Sequence, residues 1–126
     1  MIVETPVSIG ELVDKITILR IKSRRIKDQQ KLININNELD KLISVFSKLE
    51  IPDILLEFVE LEDINRELWE IEDDIREKER SKQFDEEFIE LARSVYITND
   101  RRSEVKKQIN LKVGSDLVEE KSYEQY

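Results

Sequence analysis

Six residues able to grip a ligand fall within ten positions of this chain: Arg93, Tyr96, Asn99, Asp100, Arg101 and Arg102. At about 100° per residue of helix, Asn99 and Arg102 come to lie on the apolar stripe marked by Val95 and Val105. Arg93, Tyr96 and Asp100 share a neighbouring face. An arginine and an asparagine turned inward need partners, because an unpaired buried charge is very costly. If this segment folds back on the preceding one about Gln83, Asn65 comes level with Arg101 and Arg102, and Glu72 and Arg76 lie near the same seam. Two readings follow. The residues form a polar pocket that holds an anionic ligand through arginine, or they form a satisfied polar layer that fixes the register of packed helices.

Lys15, Arg20, Lys22, Arg24 and Arg25 add a basic segment near the start of the chain. Small helical-bundle mutases such as chorismate mutase hold a dicarboxylate with Arg and Lys between helices, a likeness of architecture alone. An acidic ladder, Asp63, Glu67, Glu70, Asp74 and Glu77, lines one face of a helix at spacings of three and four. Glu11-Leu12-Val13-Asp14, Glu67-Leu68-Trp69-Glu70 and Glu87-Phe88-Ile89-Glu90 are similar to pieces of the pattern with which all-helical nucleotide pyrophosphohydrolases hold magnesium. Their order departs from it, since no E-x-x-D follows Glu90. A solvated charged face is the ordinary fate of such stripes. The candidate ligand-binding set is therefore Lys15, Lys22, Arg76, Arg93, Tyr96, Asn99, Asp100 and Arg102, with no metal ligand, no cofactor and no catalytic residue assigned.

Composition removes whole classes of chemistry. The chain has neither cysteine nor histidine, so disulfides, thiolate or imidazole metal sites and Cys–His or Ser–His catalysis are excluded. No Gly-rich phosphate loop occurs. A net charge of −8 opposes non-specific nucleic-acid binding, which needs cations to neutralise phosphates. No apolar run approaches the length of a membrane span, and the first residues lack the pattern of a signal peptide. A cytoplasmic location is expected. The charge is uneven: residues 11–31 carry seven Lys/Arg against three Asp/Glu, and residues 57–80 carry four against eleven. The basic segment is expected to pack beside the acidic one.

The elements that must position these groups are helices. The chain has two glycines and two prolines, and such poor punctuation means few, long elements. Helices are predicted near 9–27, 28–50, 53–81 and 85–113, with at most a short terminal strand pair. Ser8 and Glu11 read as a capping box, with Val7 and Leu12 as its hydrophobic staple. Asp28 could cap a second helix, or the first could kink there. Pro52 suits a first helical position with Asp53 beside it, Asp85 suits a cap, and Gly114 suits a stop. Short connections predict antiparallel neighbours. The fold class is all-α, an antiparallel bundle of three to four long helices with coiled-coil-like packing. It forms a single helical domain over 1–126, with an extended arm at 1–8 and a tail at 115–126 that docks or frays.

The first helix is apolar over most of its circumference. Leu12, Ile16 and Leu19 form one seam, and Val13, Ile18 and Ile21 fall outside it. One side suits the third and fourth helices; the other is expected to meet a second subunit, with Ile18 and Ile21 in the interface. A homodimer is the favoured assembly. Trp69 and Tyr96 read as packing or interface residues.

Several stretches together, Pro6–Leu19, Leu68–Arg76, Ala92–Tyr96, Thr98–Arg102 and Val118–Tyr123, resemble an uncharacterised family of small helical bacterial and phage proteins. The resemblance spans nearly the whole chain. It implies a standalone domain and supplies no activity, cofactor or site residue. The function expected is that of a non-enzymatic, oligomeric helical interaction or adaptor protein with a second protein as partner. The alternative is a small helical protein that binds or converts an anionic metabolite through Arg and Lys between its helices.

Overall fold

A computed structural model describes residues 1–126. It contains four helices and no strand: α1 Ile9–Arg25, α2 Gln29–Ser47, α3 Leu55–Arg80 and α4 Glu86–Val113. No helix is long and apolar enough to cross a membrane.

Most helix ends follow local chemistry. Ser8 Oγ accepts a hydrogen bond from the Glu11 amide at 3.1 Å, Asp28 from that of Lys31 at 2.9 Å, and Asp85 from that of Phe88 at 3.0 Å, each supplying an orphan donor of a first turn with an acceptor. Gly114 closes α4 in the left-handed region at φ 67°, where a side chain would be strained. The Ser8 box is only half built: the Glu11 carboxylate turns to Lys106 instead of back to Ser8, and Val7 stays exposed.

α1 and α2 are separate helices. Ile26 is extended at φ −82°, ψ 135°, and Asp28 restarts the chain. α2 ends at Ser47, short of the expected 50. α3 begins at Leu55, not at 53, so Pro52 is not its first residue. Asp53 Oδ1 accepts from the Leu55 amide at 2.9 Å, while Ile54, at the cap position, is buried in the core and has no side chain that could cap. Burial of Ile54 sets the helix start here, overriding the preference of Pro52.

The core joins three helices. Val13 of α1, Leu61 and Ile64 of α3, Val105 and Ile109 of α4, and Ile54 form its buried centre. α3 and α4 pair along their lengths, with Lys78 bridging Asp85 and Glu87 beside the connection, Arg101 on Glu67 farther along, and Lys112 on Glu57 at the far end. The basic first helix does lie beside acidic α3: Arg20 and Arg24 both reach Glu62, at 3.4 and 3.1 Å, and Arg25 reaches Glu70 at 3.1 Å.

α1 touches each of the other three helices, whereas α2 packs chiefly on α1 and reaches α3 only near its end, where the Phe46 and Phe58 rings stand 6.2 Å apart. This corrects the reading of the first helix. Gly10, Val13, Asp14 and Thr17 turn toward α3 and α4, so Leu12, Ile16 and Leu19, on the opposite arc, are left for α2 to cover. Ile21 is 3% exposed, and Ile18 is half-buried against α3. α1 is apolar all round because it has three helical neighbours, so its second side gives no evidence of a second subunit. Uncovered apolar side chains occur on α2, where Ile35 is the one buried residue and Ile33, Ile43 and Val45 are exposed, and also on α3 at Leu55, Leu56 and Val59 and on α4 at Ile89 and Leu111.

Candidate functional site

Three rungs join α1 to α4, and each follows from helical spacing. Gly10, Glu11 and Asp14 occupy successive positions on one side of α1; Asn110, Lys106 and Arg102, four apart, line α4 opposite them. In the first rung the Gly10 amide donates to Asn110 Oδ1 at 2.7 Å. A Cβ at position 10 would lie 2.6 Å from the Lys106 carbonyl oxygen, so glycine is what permits this approach. In the second rung Lys106 Nζ donates to Glu11 at 2.7 Å. In the third, Arg102 Nε donates to Asp14 Oδ1 at 2.9 Å and Nη2 donates to Oδ2, making a two-pronged pair.

α3 completes the third rung. Asn65 Nδ2 donates to Asp14 Oδ1 and to Thr17 Oγ1, both at 2.9 Å, and the Thr17 hydroxyl donates to the Asp14 carbonyl at 2.8 Å. Asp14 is 1% exposed and Thr17 0%. The layer is closed: its carboxylate is met by arginine and asparagine, which is how a buried charge is tolerated. Asn65 does stand level with Arg102, and the two share one carboxylate.

The electrostatics follow from these contacts. The Asp14 carboxylate raises the affinity of the Arg102 guanidinium for its proton. Burial pulls Lys106 down, but the hydrogen bonds it donates to Glu11 and Glu119 and the charge of Asp14 outweigh it, and the net displacement is upward. The Lys106 ammonium holds Glu119 below the ordinary glutamate value.

Glu119 belongs to the tail, which lies along α4. Its carboxylate accepts from Lys106 at 2.9 Å and meets Lys121 at 3.3 Å. Tyr126 donates its hydroxyl to Asp100 at 2.6 Å, and its ring stands edge-on to Tyr96 with centroids 5.3 Å apart. Between tail and α4 opens a cleft of about 700 Å³ bordered by Tyr96, Asn99, Asp100, Arg102 and Lys106, and by Glu119, Lys121, Tyr123 and Tyr126. A second cleft of about 380 Å³ lies between α1 and α3, beside Ile18, Lys22, Trp69, Glu72, Asp73 and Arg76.

The candidate residues therefore divide. Tyr96, Asn99, Asp100 and Arg102 come together at the first cleft. Lys22 and Arg76 line the second, which Arg102 borders from its other side. Arg76 is paired with Glu72 at 3.1 Å. Lys15 is exposed and borders neither cleft, and Arg93 is exposed with Glu90 at 3.6 Å. The acidic ladder is exposed, and most of it is taken up by arginine: Asp63 by Arg66, Glu67 by Arg101, Glu70 by Arg25 and Glu77 by Arg80. No group of three or more acidic side chains is gathered for a metal ion.

Asp14, Lys106 and Glu119 were not among the candidates. Asp14 and Glu11 carried one signal, the E-x-x-D spacing, which here matches two cations on α4 instead of a metal. Nothing in the sequence marked Glu119 as the second partner of Lys106.

Over residues 1–126 the chain matches the family described as Family of unknown function (DUF6165). No curated protein and no solved structure matches it.

Proposed function

For this chain, which belongs to that family of unknown function, we propose the role of a non-enzymatic helical interaction protein that self-associates. The observation that carries the reading is the closed layer around Asp14. Arg102 and Lys106, the most buried cations at the cleft, are both engaged by carboxylates of the same chain. An anionic metabolite would have to displace Asp14 or Glu11 to reach them, and a buried pair that loses one member is strongly destabilised. The layer acts as a register device within a single antiparallel, coiled-coil-like domain. The order of the pairs Lys78–Asp85, Arg101–Glu67 and Lys112–Glu57 supports that direction for α3 and α4.

The interface of this reading is α2, not α1. A helix held chiefly by one neighbour leaves apolar surface to a partner, and Ile33, Ile43 and Val45 provide it. A homodimer is the simplest assembly, in the cytoplasmic, bacterial or phage setting that the sequence suggests. Sedimentation equilibrium at micromolar concentration tests it. The expected mass is twice that of the 15.0 kDa chain, falling to one chain in Ile43→Glu. A monomer at every concentration overturns self-association.

A further inference from the structure

The cleft between α4 and the tail has a charge opposite to that expected from its arginine. Arg102 is neutralised by Asp14, Lys106 by Glu11 and Glu119, and Lys121 lies on Glu119. Asp100 and Glu124 also border the space, and neither meets a cation. Asp100 accepts only the Tyr126 hydroxyl. The cleft therefore holds more carboxylate than ammonium and guanidinium together.

It is also aromatic. The chain has three tyrosines, and Tyr96, Tyr123 and Tyr126 all line this one space. Each is at least 46% exposed, so none is accounted for by core packing. An aromatic ring presents a negative face that attracts a cation within about 6 Å of its centroid. The protein already displays that contact: Lys121 Nζ lies 5.8 Å from the centroid of Tyr123. A side-chain ammonium from the tail thus occupies a position that an external ammonium could take.

We propose that the cleft formed by Tyr96, Tyr123 and Tyr126 with Asp100 and Glu124 binds an organic ammonium ion. The tyrosine faces meet its alkyl or methyl groups, and the two carboxylates meet its charge. Lys121 competes from within for the face of Tyr123. The volume, about 700 Å³, lies in the range of small-ligand sites. This inference stands on the cleft alone and is independent of self-association.

The test is an NMR titration of the full-length protein with tetramethylammonium chloride, against sodium chloride at equal ionic strength. Saturable shifts are expected at the amides of residues 96–103 and 119–126. Tyr96→Leu should weaken binding about tenfold, the scale of a lost cation–π contact. Lys121→Ala should tighten it several-fold, whereas Lys41→Ala, the same charge change on α2, should leave it unaltered. Shifts that merely follow sodium chloride overturn the proposal. So does equal tightening in Lys121→Ala and Lys41→Ala, which would reduce the effect to net charge. If Tyr96→Leu does not fold, the lysine pair still decides. Titrations with spermidine and with N-acetyl-lysine amide then distinguish the source: tighter binding of the first identifies a free polyamine, and of the second a lysine side chain. Saturation by neither overturns the assignment to a natural ammonium ligand.

Discussion

Asp14 and Arg102, 88 positions apart in the chain, form a two-pronged pair that joins α1 to α4 in a nearly closed interior. Removing the cation leaves a carboxylate that is 1% exposed with only Asn65 and a distant Lys106 for company. Arg102→Met should cost about 3 kcal/mol, as breaking a buried pair does. Adding Asp14→Leu should recover most of that loss, because the isolated charge goes with it. Urea melts of the two single variants and the double variant measure the coupling.

Gly10 is a second point where α1 and α4 nearly touch. A methyl group there meets the Lys106 carbonyl oxygen at 2.6 Å and Asn110 Oδ1 at 2.9 Å, and the first of these is backbone. Gly10→Ala should destabilise by about 2 kcal/mol through overpacking, even though alanine is the better helix former. A melting temperature equal to or above that of the parent would contradict the close approach.

Ser8 caps α1 with a side chain that accepts from the Glu11 amide. Ser8→Ala should cost about 1 kcal/mol and Ser8→Asp much less. Equal losses in chemical denaturation would show that the hydroxyl is not what starts the helix.

The tail clasp should depend on pH from both sides. Lys106 holds Glu119 below its ordinary value, so the folded state binds that proton less readily than the unfolded chain. The contribution is complete above the ordinary glutamate range and is lost as pH falls through the depressed value. Lys106 and Tyr126 are displaced upward, Tyr126 by its hydrogen bond to Asp100. Their contributions are complete below the ordinary lysine and tyrosine values and are lost as pH rises through the elevated ones. Limited proteolysis between residues 115 and 126 should be slow near neutrality and faster in strong acid and strong alkali. A rate independent of pH would dissociate the clasp from these groups.

What the sequence revealed was mostly local. Ser8, Asp28, Asp85 and Gly114 act within one turn of themselves, so their roles can be read without knowing the rest of the fold. Pro52 misled because Ile54, two residues on, is drawn into the core, and no local signal reports that. The inward turn of Arg102 was legible from the gap between Val95 and Val105. Its partner was not, since Asp14 lies on a different helix and the register between α1 and α4 is set by the backbone approach at Gly10. The tail carries no periodicity, so neither the pairing of Glu119 with Lys106 nor the meeting of three tyrosines could be foreseen. The neighbours of α1 were misassigned for the same reason: periodicity shows how much of a helix is covered, but not by what.

The thin attachment of α2, almost wholly to α1, has a kinetic counterpart. α3 and α4 are joined by a short connection and can pair early, whereas α1 must close a long loop before Asp14 finds Arg102, and such closures are slow. α2 meets α1 across the short connection at 26–28 and meets α3 only through Phe46 on Phe58, so it has the least tertiary contact holding it in place and is the first to lose it. Its amides should exchange with solvent through openings that leave α1, α3 and α4 intact, a sub-global unfolding of one helix. The chain would pass, many times in its life, through a form in which Leu12, Ile16 and Leu19 are bare while the Asp14 layer stays closed.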